Sequence, residues 1–357
     1  MKRFFVLTMA SLFLLSLAGI GWAQEKIVKI PTCWMESSEA FNAWFAHKKG
    51  WDKEEGIEIE LLNFNSGPAQ MEALPAHQWV MGGTGVGGEL IGGMRYNIYL
   101  LAGVIPEDDV NAFYVRKDSP ILKKKGFNPQ YPDVYGTPET VKGANILLTS
   151  QTTVHYIIGK WLEILGLKES DVKITNMDMS SIVPAFEKGI GDVASVWAPV
   201  SFECESRGWV KAGSTGTTKA ITATCLVGDK EWCDKNPELT SKFLRVYFRV
   251  SQIMKKEGAS PEMIKSYQEF MNDFCGMKMS AEDAKNDLLV HPRWTLAEAT
   301  KLNDAAAGES QMTKWLNEAA EFFTKMGRFS APELEKFKKN NIVTDKFLKL
   351  AAEKPLP

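Results

Sequence analysis

The sequence predicts an α/β protein of two lobes, and two observations carry that prediction. Strand-like and helix-like segments alternate in two successive blocks, separated by an irregular stretch rich in Pro, Gly and Lys over residues 117–138. Such alternation is typical of sheets covered by helices. The chain also has 357 residues, more than the roughly 250–300 that one hydrophobic core supports. We therefore expect two sheets, each at the centre of its own lobe.

The composition is that of a globular protein with almost balanced charge. Lys and Arg number 42 against 44 Asp and Glu, giving a formal net charge of −2, while 24% of residues are charged and 11% are aromatic. These values argue against a disordered chain, a collagen or a coiled coil. A general nucleic-acid-binding protein usually has a strong basic excess, so that class is not expected.

The first 23 residues have the pattern of a secretory signal peptide. Lys2 and Arg3 precede an apolar stretch over residues 4–20, and Gly21 and Ala23 are small at the spacing that signal peptidase requires. We expect cleavage after Ala23 and a periplasmic location. An uncleaved anchor is the alternative, although the stretch is shorter than the ~20 residues that span a bilayer.

Hydrophobic periodicity predicts the elements of the first block in order. Apolar residues recur at helical spacing over 41–48, and apolar and acidic residues alternate over 57–61 as in a half-buried strand. Two signals predict the start of a short helix: Ser66 is a suitable N-cap residue, and Pro68 fits the first turn. The expected strands are 27–30, 57–61, 79–82, 98–104 and 112–115, and the expected helices are 41–48, 68–77 and 89–94.

The second block continues the alternation and ends in helices. The expected strands are 145–149, 172–175, 193–197 and 223–227, and the expected helices are 154–165 and 182–188. From Ser280 onward the pattern is almost purely helical. Apolar residues between Met312 and Met326 form an amphipathic stripe, which we expect to pack against the body of the protein.

The five cysteines and four histidines form no metal or redox motif. Export permits disulfides, and an odd number of cysteines leaves at least one thiol without an intramolecular partner. No CxxC or Cys/His cluster is present, so a structural zinc site is not expected. We expect the cysteines to be buried or partly paired, and His155 to be a helix residue that faces a neighbour.

Residues Gly83 to Gly88 match the GxGxxG pattern of dinucleotide-binding folds. Asp108 follows about twenty residues later, where a ribose-binding acid would be expected. We nevertheless predict no cofactor, because a single match is weak, the motif follows the third strand, and exported proteins rarely meet NAD. The glycines more simply allow the backbone to come close to something in a cleft.

Polar residues at a strand-to-helix turn predict an anion site. Ser150, Gln151, Thr152 and Thr153 lie between a predicted strand and a predicted helix. Helix capping alone needs one hydroxyl, whereas free N–H groups and the helix dipole at this place attract anions. We expect Thr152, Thr153 and the backbone N–H of Val154 to hold the anion. No nucleophile elbow or ordered Ser-His-Asp set stands out, so no catalytic residue is predicted.

Five short segments share their order and spacing with one known family. They are 67–74 (GPAQMEAL), 81–85 (MGGTG), 148–156 (LTSQTTVHY), 196–199 (VWAP) and 227–244. Together they resemble the periplasmic solute-binding proteins of ABC transporters, of the nitrate/sulfonate/taurine type, over nearly the whole mature chain. Two departures are Gln151 and Thr152, where Gly-Ser is common, and an insert at 129–138.

The resemblance implies a type II periplasmic-binding-protein fold with a two-strand hinge and C-terminal helices. Lobe one would comprise residues 24–116 and 224–357, and lobe two residues 117–223. The hinge strands would lie near 114–116 and 223–227, and the C-terminal helices would pack on lobe one. Ligand would bind between the lobes and be buried by closure.

The family implies a function in transport. The chain would be a monomer that delivers a small organic anion, such as a sulfonate or taurine, to an ABC permease in the inner membrane. Enzymes of the same fold make the thiamin pyrimidine, but their Cys-rich motif and cofactor-binding Lys are not found here. A thiamin-precursor-related binding protein or enzyme is one alternative, and a sensory or chaperone-like binding module is another.

The ends of predicted strands supply aromatic and polar candidates for the cleft. Ligands of open α/β sheets bind outside the carboxyl ends of strands. Trp34 and Trp197 would therefore face the cleft and cover an apolar part of the ligand. The polar and backbone candidates at the same ends are Ser37, Ser38, Thr84 and Gly85.

Acidic residues follow two of the predicted strands. Glu107, Asp108 and Asp109 come after the strand at 98–104, and Glu36 comes after the first strand. An acid at the cleft edge would suit a ligand amine, as in taurine, and Glu36 and Asp108 are the candidates. A solvated acidic loop is the alternative, since loops are polar by default.

Overall fold

Two five-stranded sheets form the framework of the protein. The computed structural model describes residues 27–306 and 308–356, so the predicted signal peptide lies outside the described residues. The strands are β1 Val28–Trp34, β2 Ile57–Asn63, β3 Met81–Thr84, β4 Ile98–Pro106, β5 Asn111–Val115, β6 Asn145–Leu148, β7 Lys173–Asn176, β8 Val193–Trp197, β9 Val210–Ser214 and β10 Ala223–Asp229.

The two sheets repeat one topology. The first has the order β2-β1-β3-β10-β4, with β1 parallel to β2 and β3 and with β10 antiparallel to both its neighbours. The second has the order β7-β6-β8-β5-β9, with β6 parallel to β7 and β8 and with β5 antiparallel to β8 and β9. We call the parts built around the first and second sheets lobe one and lobe two. The predicted two-lobe α/β class is confirmed.

Helices cover the sheets and fill the C-terminal third of the chain. They are α1 Ala40–Lys49, α2 Trp51–Glu54, α3 Gly67–Ala73, α4 Val86–Arg95, α5 Pro138–Val141, α6 Thr153–Ile164, α7 Met179–Glu187, α8 Val200–Ser206, α9 Thr215–Thr218, α10 Lys230–Lys235, α11 Pro237–Glu257, α12 Pro261–Asp273, α13 Ala281–Val290, α14 Leu296–Asn303, α15 Gln311–Lys325, α16 Ala331–Asn340 and α17 Lys346–Ala352. No helix in the described ranges is both long and apolar enough to cross a bilayer.

The first crossing between lobes lies earlier than expected. Strand β5 belongs to the second sheet, so the chain leaves lobe one between Pro106 and Asn111 and not near residue 116. The expected hinge strand around Tyr114 is the interior of β5, where Tyr114 pairs with Ala194. The chain returns between Ser214 and Ala223, close to the expected position.

The C-terminal helices contact both lobes. Helices α14 and α17 pack against β4 of lobe one, as expected. Helix α15 contacts α4 of lobe one, but its Phe322 and Phe323 rings also lie 4.9 and 5.7 Å from the Tyr156 ring of lobe two. These helices thus pack on lobe one, as expected, and the apolar stripe of α15 also reaches α6 of lobe two.

Short polar elements were not predicted from the sequence. Helix α8, strand β9 and helix α9 occupy the stretch between β8 and β10, where Gly and Thr are frequent and no hydrophobic period is visible. Helix α4 begins at Val86, three residues before its predicted start. The prediction began late because glycines, which disfavour helix, occupy the first turn. Ser66 caps α3 as predicted, since its hydroxyl accepts a hydrogen bond from the Ala69 N–H.

All five cysteines are buried free thiols in the described part of the chain. Burial raises the pKa of the Cys204 and Cys233 thiols to about 12. Such thiols are unreactive near neutral pH, because the thiolate is the nucleophile. Of the two alternatives, buried or partly paired, the structure has the buried one.

Candidate binding cleft between the lobes

A cleft between the lobes holds about 500 Å³ of space free of protein atoms, part of which is open to solvent. Lobe one contributes the loop after β1, the start of α4 and the end of β4, and lobe two contributes the start of α6 and the end of β8. The lining residues are Met35, Ser37, Glu39, Gly67, Gly85, Gly87, Gly88, Glu107, Val110, Asn111, Thr152, Thr153, Trp197, Ala198, Thr224 and His291.

The lobe-two wall is the turn that leads into α6. Thr152 has extended backbone and its hydroxyl donates to the Thr149 carbonyl at 2.7 Å, which closes the turn. Thr153 begins the helix and lines the cleft. The first N–H groups of a helix have no partner within it, so this 12-residue helix presents donors and the positive end of its dipole here.

His155 holds this turn in place from behind. Its Nδ1 accepts a hydrogen bond from the Gln151 N–H at 3.0 Å, so the proton of the neutral ring is on Nε2, which donates to the Glu169 carboxylate. Gln151 has a φ of 60°, in the left-handed region. Burial alone would raise the pKa of Glu169, but His155 and Arg328 outweigh it and hold that pKa below its usual value. His155 thus faces a neighbour, as expected.

The lobe-one wall carries buried carboxylates. Glu39 is 4% exposed; its Oε2 accepts from the Ser37 hydroxyl, while its Oε1 has no hydrogen-bond partner. Burial raises the pKa of Glu39, against the lowering effect of Ser37. Glu89 is buried beneath this wall with one oxygen also unpartnered, and burial raises its pKa well above the usual value.

Glu107 lies where the chain crosses between the lobes. Its two carboxylate oxygens accept from the Thr224 hydroxyl at 2.7 Å and from the Thr222 hydroxyl at 2.8 Å, and Asn111 donates at 3.1 Å. Its backbone N–H also donates to the Thr222 carbonyl. The residue therefore ties both crossing segments together and faces the cleft.

The two lobes touch at the entrance of α4. A Cβ atom added to Gly87 of lobe one would lie 1.8 Å from the Gln151 carbonyl oxygen of lobe two. No side chain fits at that distance, so glycine is required for this approach. At Gly85, an added Cβ would lie 3.2 Å from the Thr153 hydroxyl and 3.6 Å from Glu107 Oε1. Gly85 and Gly87 thus serve close approach across the cleft, whereas Gly83 and Gly88 of the GxGxxG match pack against Trp34 and Thr84 within lobe one.

Five of the twelve predicted site residues line the cleft: Ser37, Gly85, Thr152, Thr153 and Trp197. Gln151 contributes its carbonyl at the lobe contact, and Val154 follows Thr153 in the first turn of α6. Thr84 is buried next to the cleft, with its hydroxyl 2.1 Å from where a Cβ on Gly88 would lie.

The structure places four predicted site residues elsewhere. Trp34 is fully buried in lobe one, stacked on Tyr247 at 6.1 Å, because β1 extends four residues beyond the expected end and Trp34 lies within it. Ser38 is also buried and accepts a hydrogen bond from Arg293.

The remaining two are the predicted acids. Glu36 accepts from Asn63 at 2.7 Å and lines a second hollow, which adjoins the cleft at Met35 and Trp197. Asp108 is exposed at the crossing, where its carbonyl accepts from the Gly216 N–H at 2.5 Å.

Sequence reasoning missed Glu39, Asn111, Thr224 and His291. Glu39 follows two serines after a strand, which is a usable signal once β1 is known to end at Trp34. His291 had no usable signal, because it reaches the cleft only through the packing of α13 on α12 next to α1.

The fold and the enclosed cleft define a two-lobe solute-binding protein. A protein of Brachyspira hyodysenteriae, named as an ABC transporter periplasmic binding protein, is 27% identical over 251 residues, covering 69% of this chain and 70% of its own. The taurine-binding periplasmic protein of Escherichia coli is 25% identical over 237 residues, covering 65% and 68%.

Among solved structures, the fold matches the alkanesulfonate-binding protein SsuA from Xanthomonas axonopodis bound to MOPS. The TM-score is 0.67 at 15% identity, covering 86% of this chain and 98% of SsuA. No family model matches the chain. The named relatives confirm the resemblance: the chain is similar to periplasmic binding proteins of ABC transporters, a taurine-binding one among them. These relatives are transport binding proteins and not enzymes.

Proposed function

We propose that this protein is an exported, monomeric binding protein that delivers a small organic anion, a sulfonate or taurine-like compound, to an ABC permease. The observation that carries the proposal is the start of α6, where Thr152 and Thr153 line an enclosed cleft. Neutral hydroxyls and backbone N–H groups at a helix start bind an anion without any cationic side chain. The taurine-binding relative agrees with this ligand class.

The proposed contacts divide the ligand between the lobes. The Thr153 hydroxyl and the backbone N–H of Val154 donate to the anionic group, and Thr152 acts through its backbone, because its hydroxyl donates to the Thr149 carbonyl. Trp197, which is half-buried at the end of β8, covers the apolar spacer. Ser37 and the Gly85 backbone complete the lobe-one side, and closure brings the two sets together.

The direct test identifies the ligand and then removes its anion site. Mass spectrometry of compounds released from the purified protein is followed by calorimetry with sulfonates, nitrate, carboxylates and thiamin precursors. We expect a sulfonate or related anion to bind. The Thr152→Ala/Thr153→Ala double variant should lose about 1–3 kcal/mol of binding free energy, because charged oxygens lose donors in a buried site.

A control variant separates binding from folding. Thr175→Ala removes a hydroxyl of the same lobe that donates to Asn145 at 2.6 Å, away from the cleft; it should leave affinity unchanged. Unchanged affinity in the double variant would remove the anion site from the proposal. Binding of thiamin precursors alone would replace the proposed ligand class.

A further inference from the structure

The lobe-one wall of the cleft contains an acid and an imidazole that act on one another. Glu39 and His291 both line the cleft and are 4% and 3% exposed. Glu39 Oε2 accepts from the Ser37 hydroxyl, whereas its Oε1 has no hydrogen-bond partner among the described residues. Burial raises the pKa of Glu39, and Ser37, the Glu39 backbone N–H and His291 lower it. Neither Glu39 nor His291 belongs to the anion site proposed above.

The imidazole of His291 is held in one orientation. Its Nδ1 lies 2.9 Å from the carbonyl oxygen of Asp287 and 3.0 Å from a carboxylate oxygen of the same residue. Both oxygens are acceptors, so Nδ1 carries a proton. Arg293 fixes the backbone as well, since it donates to the His291 carbonyl. Nε2 is therefore the ring nitrogen that remains for the cleft, and it donates or accepts according to whether it holds a second proton.

The surroundings keep one further proton on the pair formed by Glu39 and His291. Burial and the nearby charge of Glu107 favour the protonated form of Glu39. Behind the imidazole, Asp287 is fully buried and accepts from the Tyr267 hydroxyl and from His291, so its carboxylate favours a proton on the ring. Both members of the pair thus compete for this proton, and neither is in contact with bulk water.

The pair offers one donor and one acceptor wherever that proton lies. If it is on His291, Nε2–H donates and Glu39 Oε1 accepts; if it is on Glu39, Oε1–H donates and Nε2 accepts. A ligand hydroxyl or amide both donates and accepts, so it satisfies the two atoms together. An ammonium only donates and a carboxylate only accepts, so either would leave one buried atom unpaired, which is costly.

We propose that Glu39 and His291 form a donor–acceptor pair that selects a ligand with an uncharged hydroxyl or amide group beyond its anionic group. The anionic half rests on the proposed function above. The uncharged half rests on the fixed orientation of His291 and on the unpartnered oxygen of Glu39, which are separate observations. Both halves line the same cleft.

Matched sulfonates test the pair, because they differ only in the group at the second carbon. Calorimetry compares 2-hydroxyethanesulfonate with 2-methoxyethanesulfonate, which cannot donate, with 2-aminoethanesulfonate, which cannot accept, and with ethanesulfonate, which does neither. N-Methylacetamide tests the pair without an anion. We expect the hydroxyl compound to bind at least about tenfold more tightly than each of the other three sulfonates, as hydrogen bonds to charged groups would give.

The outcomes separate this proposal from the proposed function. If any of the other three sulfonates binds at least as tightly as 2-hydroxyethanesulfonate, the pair does not select the ligand and the proposed function stands. If N-methylacetamide binds and no sulfonate does, the pair is supported and the organic-anion function is overturned. If none of the five compounds binds, both are overturned.

Variants assign the selectivity to the two residues. His291→Phe keeps a ring and removes both nitrogens, and Glu39→Leu removes both oxygens; each should abolish the preference for the hydroxyl over the methoxy compound. Glu39→Gln should retain that preference, because its amide oxygen can accept from Ser37 while its nitrogen donates to the ligand and Nε2 of His291 accepts. Loss of the preference in Glu39→Gln would overturn the donor–acceptor assignment in favour of a purely ionic contact.

A second histidine of lobe one supplies the matched control. His47 also has its Nδ1 on an aspartate, 2.7 Å from Asp52 Oδ2, but it does not line the cleft. His47→Phe should therefore keep the full preference for the hydroxyl compound. The preference is a ratio of two affinities measured on one protein, so a partial loss of folded protein does not imitate its loss. A preference that survives in His291→Phe would overturn the proposal.

Discussion

Trp197 and Trp34 show how one position in a strand decides the role of a side chain. Both were expected at the cleft, but Trp197 ends its strand and lines the cleft, whereas Trp34 lies inside the core of lobe one. Trp34 donates its Nε1–H to the Thr32 hydroxyl at 2.6 Å and its ring lies over Gly83. It therefore stabilises lobe one and does not line the cleft.

Tryptophan emission distinguishes these two roles. Ligand binding should change the emission, and Trp197→Ala should lose most of that change together with about 2 kcal/mol of affinity, as for an aromatic hot spot. Trp34→Phe should keep the ligand-dependent change and the affinity, but lower the melting temperature. If Trp197→Ala keeps both the emission change and the affinity, Trp197 does not contact the ligand.

Glu39 links the stability of the protein to pH. Its pKa is raised above the ordinary 4.5 by burial, so at intermediate pH the folded protein holds a proton that the unfolded chain releases. Stability from this group therefore falls as pH rises from about 4.5 through the raised pKa. The titratable side chains that act on or respond to Glu39 are those of Cys33, Glu107, Tyr247, Cys275 and His291.

Urea unfolding of the ligand-free protein at pH 7, 6 and 5 measures this effect. The wild type should gain free energy of unfolding relative to Glu39→Gln as pH falls, since Gln cannot titrate. Taking the difference in free energy of unfolding between the two proteins cancels the contributions of titratable groups that both contain. Glu89, whose pKa is also raised, is one of these groups. A constant difference across this range would show that Glu39 does not carry a raised pKa.

At the scale of elements, the sequence predicted what local rules determine. The turn from Ser150 to Thr153 was predicted because hydroxyl residues between a strand and a helix indicate the start of that helix, and this can be recognised from neighbouring residues alone. The acidic lobe-one wall of the cleft was not found, because it depends on strand length: β1 and β4 each run beyond their predicted ends. Those extra residues decide that Glu39 and Glu107, and not Glu36 and Asp108, face the cleft.

The start of α4 limits how closely the lobes can approach. Gly87→Ala would place a Cβ 1.8 Å from the Gln151 carbonyl, which is backbone and cannot rotate away. The closed form should be disfavoured while the open form remains free of this clash. We expect weaker ligand binding with little change in the melting temperature of the ligand-free protein. Small-angle scattering should show that ligand no longer compacts the variant; normal compaction would contradict the argument.

Across the whole molecule, the C-terminal segment reaches the turn before α6 through a chain of polar contacts. Arg328 donates to Glu169 at 2.6 Å, Glu169 accepts from His155, and His155 accepts from the Gln151 N–H in the turn itself. The segment also packs on lobe two through Phe322, whose ring abuts Gly159. Residues more than 150 positions apart in the sequence thus hold one turn, which no local pattern could reveal.

Arg328→Gln tests whether this contact positions the turn. Arg328 and Glu169 are 33% and 21% exposed at their side chains, so we expect a loss of stability of about 1 kcal/mol, between exposed and buried ion pairs. Because Glu169 then holds His155 less firmly, affinity for the anion should also fall. Lys325→Gln is the control: it breaks the neighbouring pair with Glu163 at 2.7 Å, where Lys325 is 73% exposed, and should change neither quantity measurably. Calorimetry and thermal unfolding of the three proteins decide the matter, because a purely structural role for Arg328 would lower stability while leaving the binding constant at its wild-type value.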